Sequence, residues 1–440
     1  MEKIKVTAIF DIGKTNKKFF LFDREMKEVY RVYHRLDYIR DEDGEDCECV
    51  HTLTKWVRDT FEAALALPEF EITKLNCTTY GASFVHVDKA GQPVAPLYNY
   101  LKHYPAELLE QFYKAYGPIE QFSRETSSPE LAMLNSGLQL YFLKYAKPEF
   151  YGRTFRSLHL PQYVSSLFTG KFVSEYTSIG CHTGLWDYQK GDYHKWVRDE
   201  GIDQKLPEVV DTKTNFPVQF DGRTIQVGVG IHDSSAALLP YLNSNTEPFA
   251  LLSTGTWAIS INPFNASALT VEQLRQDCLH FLSISGRPIK ISRLFIGEEH
   301  KVQIEKLYAY FRLEKGYYKQ LGFEKDRYAK AKSKPGKRFK FEYLKPELFG
   351  LSQAASTDWP NFVDFEDAYY SFLHELTDLQ VISLSLVLNG STQVNKLYID
   401  GGFNANPIFV GMLRDKLPGI TIETTDFALG TALGAGMLVN

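Results

Sequence analysis

The chain has 440 residues, beyond the roughly 250–300 at which a single hydrophobic core stops growing, so two domains are expected. Its 44% apolar and 23% charged residues are those of a globular protein, and a net charge of −5 offers no basic surface to nucleic acid. Five scattered cysteines, no signal-like apolar core at residues 1–5 and no apolar run near the roughly 20 residues of a membrane span point to a cytoplasmic chain without disulfides or a membrane partner.

Residues 6–23 read as two apolar strands around the polar turn Gly13-Lys14-Thr15-Asn16-Lys17-Lys18, the pattern of a β-hairpin. Gly13 lets backbone approach a ligand, and the N–H groups of such a turn suit a phosphate. Lys14, Lys17 and Lys18 add charges that favour a polyphosphate, while Asp11 at the strand end could hold Mg²⁺ through its waters. An ordinary surface hairpin explains the same residues equally well. Residues 29–34 are read as a third strand, and 41–48 as a solvated acidic loop in which Cys47-Glu48-Cys49 is incidental. A helix over 56–67 precedes a strand over 74–79, which ends at Tyr80-Gly81-Ala82-Ser83. Open α/β sheets place ligands at such a strand end, although Gly81 is explained as well by a plain turn.

Residues 90–130 lack periodicity, 131–145 form an amphipathic helix, and 174–187 hold nothing chemically decisive. In 225–238 a buried strand runs through a glycine turn into His232-Asp233-Ser234 at the start of an apolar helix. An acid there is first of all an N-cap, worth about 1 kcal/mol, yet it is also well placed to take a proton from a hydroxyl. Residues 249–261 repeat the first hairpin around Thr254-Gly255-Thr256, about 240 residues later, which divides the chain into domains 1–240 and 241–440. The eight Lys and Arg of 325–340 read as a solvated loop, and 364–388 as a long helix. Finally a strand over 396–400 enters Asp400-Gly401-Gly402 and a helix from Asn406 or Pro407. Paired glycines of this kind can pack flat on a planar group or a phosphate. Small residues at helical spacing over 427–436 suit close helix packing.

Five stretches in this order resemble the FGGY family of carbohydrate kinases, in the hexokinase/actin/Hsp70 fold. They are residues 11–18, Tyr80-Gly81, Gly230-Ile231-His232-Asp233, Ser253-Thr254-Gly255-Thr256-Trp257, and Asp400-Gly401-Gly402 with Asn406. The His-Asp pair and the Thr-Gly-Thr-Trp turn are similar to those of rhamnulokinases and L-fuculokinases. The resemblance implies an α/β fold of two RNase H-like domains with a catalytic cleft between them, sugar mainly on the first and ATP mainly on the second. It implies phosphorylation of a ketose, most of all at C1 of an L-rhamnulose- or L-fuculose-like sugar, by a monomer or homodimer using ATP and Mg²⁺. Asp233 is then the base, Asp11 the metal ligand, and Gly81, His232 and Asp233 the sugar site. Gly13, Lys14, Thr15, Asn16, Lys18, Gly255 and Thr256 meet the phosphates, and Gly401, Gly402 and Asn406 the adenosine. Lys14 departs from the small or hydroxyl residue more usual in the family, Ser234 from threonine, and 284–303 does not fit the family's C-terminal signature. Another ketose or polyol, a sensor of the same fold without catalysis, and a chaperone- or actin-like ATPase are the competing readings.

Overall fold

The structure is a computed structural model and describes residues 3–390, 393–425 and 429–439. Phe427 and Ala428, with which the small-residue tail was expected to begin, lie outside these. Two compact units form: Met1–Ser244 with His280–Pro288 and Leu429–Asn440, and Asn245–Leu279 with Ile289–Ala428. The sequence divides the chain once, at 240/241; the structure instead returns the C-terminal tail to the first unit. The cause is the tail's small residues. A Cβ at Gly434 would lie 1.9 Å from the Ala236 carbonyl oxygen, so the helix Gly430–Met437 fits against the helix Asp233–Ser244 only without one.

The first unit is organised by the strand Ile4–Ile12, buried on both sides from Val6 onward, as an interior strand of a mixed sheet must be. Across the sheet the order is Asn215–Phe220, Arg223–Gly228, Phe70–Thr79, Ile4–Ile12, Lys17–Phe22 and Glu28–His34. The two-residue strand Ile231–His232 also pairs with Phe70–Thr79. Alternation sends Val6, Ala8, Phe10 and Ile12 towards the helices Val50–Leu65 and Leu160–Thr169, while Ile9 packs with the helices Asp233–Ser244 and Gly430–Met437. The region without clear periodicity, 90–130, contains the helices Ala106–Tyr116 and Ile119–Thr126. Phe112 and Phe122 from them join Tyr141 and Trp196 in an aromatic cluster; each helix is short and buries one face through two or three residues, too few to stand out as a period.

A second sheet, carried mainly by the second unit, has the strand order Cys278–Leu282, Pro288–Leu294, Ala258–Asn262, Phe249–Thr254, Lys396–Gly401 and Thr421–Thr424. The helix Phe365–Leu388 lies in the core of the second unit, capped by the Asp364 carboxylate on the Asp367 N–H. By length and composition alone it could cross a membrane, but 61% of its most apolar window is buried inside this unit. The expected basic loop is instead the helix Lys325–Ser333 and a strap after it. Lys334, Lys337 and Arg338 pair with Asp367, Asp378 and Asp358, and the buried Glu375 accepts the Arg338 N–H at 2.7 Å. Asp367, Glu375 and Asp378 lie on the helix Phe365–Leu388 and Asp358 just before it, acids that sequence spacing does not connect to these positive charges.

Candidate active site

In the first unit three strand ends meet at one sheet edge. Thr78 is in register with Asp11 on one side and Ile231 on the other, so the next residues out are Ile12 and His232 on either side of Thr79. Strands lie about 4.8 Å apart, which brings Asp11 and the residue after His232 to the same edge. That residue is Asp233, first of the helix Asp233–Ser244. The approach is fixed from behind. Asn76 Oδ1 accepts the Gly230 N–H at 3.0 Å while its Nδ2 donates to the Ala435 carbonyl at 2.8 Å, and Gln162 donates to the carbonyls of Val229 and Gly230.

Asp233 Oδ1 accepts the Ser234 N–H at 2.6 Å and lies 3.3 Å from His232 Nε2. Withdrawal from water raises its pKa; His232 opposes this and the charge of Asp11 adds to it. Burial likewise lowers the pKa of His232, so the imidazole is neutral and can donate from Nε2 to the carboxylate. Gly81 is required here because a Cβ would stand 2.8 Å from His232 Nε2. The stretch 174–187, which offers no motif, backs His232 through hydrogen bonds. Glu175, fully buried, accepts from the N–H groups of Thr177 and Ser178 and from the hydroxyls of Thr177 and Thr212. Thr177 Oγ1 in turn accepts the His232 N–H, and Cys181 Sγ lies 3.4 Å from His232 Nε2.

The lysine turn is a different object from the one expected. Gly13 N–H donates to the Asn16 carbonyl and closes the turn. Lys17, 1% exposed, donates to the carbonyls of Gly13 and Lys14 and pairs with Glu48 at 2.8 Å. Lys14 pairs with the same carboxylate at 3.2 Å, and Asn16 Oδ1 accepts from Arg35 Nε. Thr15 is exposed at the tip. Lys14 and Lys17 are thus tied to Glu48 rather than left open to a polyphosphate, and Glu48, at 2% exposure, is far from incidental. No motif announces Glu48; the only sequence signal is charge balance, three lysines in one turn needing an acid nearby. Lys18 and the Thr431 hydroxyl both reach Asp11 Oδ2 at 3.1 Å, and Thr431 comes from the tail whose small residues the sequence reads as suited to close packing.

Among the described residues no group of three His, Cys, Asp or Glu gathers to hold a metal. Asp11 fits Mg²⁺ in another way. Oδ2 is occupied by Lys18 and Thr431, leaving Oδ1 as a hard oxygen for a largely hydrated cation.

The second unit contributes a cavity of about 930 Å³. Gly255, Thr256, Gly402 and Asn406 line it, as do Gly297, His300 and Tyr318, which carry no motif. Gly401 shapes the wall from behind. Its φ is +83°, and a Cβ would lie 1.8 Å from the Thr254 carbonyl oxygen. Asn406 Oδ1 accepts the N–H groups of Ile408 and Phe409, and Nδ2 donates one of its two hydrogens to Tyr369 at 2.7 Å. Its side chain thus fixes the helix start beside the cavity and keeps one N–H in hand. The buried His300, held neutral by a pKa lowered to about 3, meets the same Tyr369 hydroxyl at 3.1 Å.

A family model describing the N-terminal domain of the FGGY family of carbohydrate kinases matches residues 6–232. A rhamnulokinase of Halalkalibacterium halodurans is 23% identical over 260 residues, 56% of this chain and 52% of the relative. The match thus spans about half the length of the curated relatives, a second example being a Klebsiella pneumoniae rhamnulokinase, 24% identical over 257 residues, 55% of this chain and 50% of the relative. Over 98% of the chain the fold superposes on 93% of a carbohydrate kinase from Novosphingobium aromaticivorans, with a TM-score of 0.76 and 21% identity. Over 99% it superposes on 89% of Plasmodium falciparum glycerol kinase with ADP, with a TM-score of 0.74 and 15% identity. At such identities the likeness speaks for the fold.

Proposed function

This chain belongs to the FGGY family of carbohydrate kinases, and on that footing we propose that it transfers the γ-phosphate of ATP to a ketose hydroxyl, C1 of an L-rhamnulose- or L-fuculose-like sugar foremost. The observation that carries the reading is the meeting of Asp11 and Asp233 at one sheet edge, beside a neutral His232 and a Gly81 with no room for a side chain. A binder without catalysis needs neither carboxylate.

In this reading Asp233 accepts the hydroxyl proton as the sugar oxygen attacks phosphorus, a contribution of about 10²–10⁴-fold. Its raised pKa suits a base that must be ionised at neutral pH yet hold the proton it takes. His232 orients the carboxylate through Nε2, and Gly81 and His232 border the sugar. Thr15, exposed at the tip, and Lys18, with N–H donors beyond its bond to Asp11, are the turn residues left to meet the transferring group, Gly13 closing the turn behind them. Gly255, Thr256 and Gly402 belong to the nucleotide's cavity, with Gly401 and Asn406 fixing its outline. Mg²⁺ held through water by Asp11 would neutralise charge on the polyphosphate. The remaining acceleration comes from positioning.

The test is ADP release from Mg²⁺-ATP with L-rhamnulose, L-fuculose, L-ribulose, D-xylulose or glycerol, against a control without sugar. A large rate on one ketose supports the proposal and names the acceptor. Equal turnover with and without every sugar overturns it in favour of an ATPase.

A further inference from the structure

The one lysine of the turn that departs from the family's usual residue has an environment of its own. Lys14 Nζ lies 5.5, 4.9 and 5.0 Å from the ring centres of Tyr38, Tyr80 and Tyr100, and 3.2 Å from Glu48 Oε1. Its side chain is 18% exposed. Three aromatic faces and a buried carboxylate surround the three N–H groups of this ammonium, which leaves little of it for a phosphate. The Tyr80 hydroxyl donates to the same Glu48 oxygen at 3.0 Å, so ring, cation and carboxylate hold one another.

The box is assembled from distant segments that are bolted together. Tyr38 and Glu48 face each other across a small antiparallel ladder, Tyr38–Arg40 with Asp46–Glu48. The loop of that ladder is pinned by Lys102, 1% exposed, whose Nζ reaches Asp41 at 2.7 Å, Asp43 at 2.9 Å and Glu45 at 3.3 Å. Lys102 stands two residues after Tyr100, so one segment both locks the loop and supplies a wall of the box. The other side leads to the chemistry. Tyr80 is followed at once by Gly81, the residue pressed against His232. Burial, helped by the charges of Tyr38, Asp233 and Glu48, pushes the Tyr100 phenol up to about 12, and its hydroxyl has no hydrogen-bond partner among the described residues. It is a neutral donor within the field of the proposed base.

We infer that Lys14 is a positioning residue of the acceptor side: by holding Tyr38, Tyr80 and Tyr100 in a box it sets the wall against which the sugar lies, and it takes no part in binding nucleotide phosphate. The inference rests on the kinase reading above. Aromatic faces suit the C–H faces of a sugar, and the Tyr100 hydroxyl is the group left over to donate to one of its oxygens. Lys14 and Lys17 share Glu48 and Lys18 pairs with Asp11, so no lysine of the turn is left without a carboxylate. The box therefore fits a neutral acceptor rather than a sugar acid.

The experiment compares the full-length protein with Lys14→Met, Lys14→Arg and Tyr100→Phe, measuring KM for the active sugar, KM for Mg²⁺-ATP and the Kd of ADP. Lys14→Met should raise the sugar KM about tenfold, the equivalent of one 1.4 kcal/mol contact, with both nucleotide constants within about twofold of the parent. Lys14→Arg, which keeps the cation and its ring contacts, should recover most of the loss. Weaker ADP binding by Lys14→Met, alone or together with the sugar effect, overturns the inference. Should Lys14→Met fail to fold, Tyr100→Phe decides: it removes one hydroxyl, and an unchanged sugar KM overturns the proposal. If the parent turns over no sugar the kinase reading fails by itself, and ADP binding to Lys14→Met still judges the claim about phosphate.

Discussion

Two turns that look alike in sequence, Gly13–Lys18 in the first unit and Thr254–Trp257 in the second, are built on opposite physics. The first is a charge lattice. Lys14 and Lys17 share Glu48, Lys18 and Thr431 share Asp11, and the backbone carbonyls of Gly13 and Lys14 are tied to the Lys17 ammonium. The second is a matter of clearance. Gly401 passes against the Thr254 carbonyl where any side chain would collide, and a Cβ at Gly297 would stand 2.0 Å from the Gly255 carbonyl oxygen. A ligand near the first turn meets a surface held in place by charges paired with one another; one in the cavity beside the second is met by exposed backbone and shape. Substitutions that remove charge should therefore act on the first unit, and those that add volume on the second.

The largest effect is expected at Asp233. Asp233→Asn keeps the shape and removes the base, so sugar-dependent turnover should fall by about 10²–10⁴-fold while ADP binding and thermal midpoint stay near the parent's. In the parent, kcat/KM should decline on the acid side at a pH above the ordinary carboxylate range, since burial raises this group and the base must be ionised. Full activity in Asp233→Asn would remove the mechanism. Next comes Glu48→Ala, which leaves Lys17 buried without its counter-charge. Losing one partner of a buried pair costs about 3–5 kcal/mol, read as a lowered urea midpoint. A loss below about 1 kcal/mol would mean the lattice is no more than a surface feature.

Gly401→Ala probes the other turn. Left-handed backbone alone disfavours alanine by about 1–2 kcal/mol, and the collision with Thr254 adds to it. The turn has to move, so ADP affinity should drop together with stability, while the sugar KM, if the two turns are independent, should hold. A variant with normal ADP affinity would show that the cavity tolerates volume and would erase the contrast.

The same contrast explains what could be read from the sequence. Strands with continuous apolar runs, the hairpins and the starts of the helices at Asp233 and Pro407 follow from local pattern, because each is dictated by residues adjacent in the chain. Asp233, Gly81 and the glycine turns carry motifs for the same reason. Glu48, Glu175, Thr431 and Tyr100 carry none. Each matters through a partner 30 or more positions away, Glu48 through Lys14 and Lys17, Glu175 through Thr212, and no spacing rule encodes such a pair. The tail's return to the first unit was hidden likewise: its small residues announce close packing without saying against what.

The smallest expected effect falls on an exception, a buried charge in the unit built on clearance. Glu375 accepts the N–H groups of Arg338 and Phe339, and burial still raises its pKa to about 7 from an ordinary 4.5, with Lys337 opposing the rise and Asp378 adding to it. A carboxyl whose folded pKa lies above its unfolded value binds its proton more tightly in the folded state. Ionising it therefore costs stability, a penalty absent below about pH 4.5, growing as pH rises to about 7 and constant above. His374 on the same helix is held neutral down to about 4 and has the opposite slope, so the quantity to read is the difference between parent and Glu375→Gln. Glutamine keeps an acceptor for the strap and has no charge to bury. The thermal midpoint of the variant should gain on the parent's steadily between about pH 4.5 and 7, by a few degrees in all. Two parallel curves would mean that Glu375 is ionised at no penalty, and that the strap after Lys325–Ser333 is held by charge in the same manner as the lysine turn.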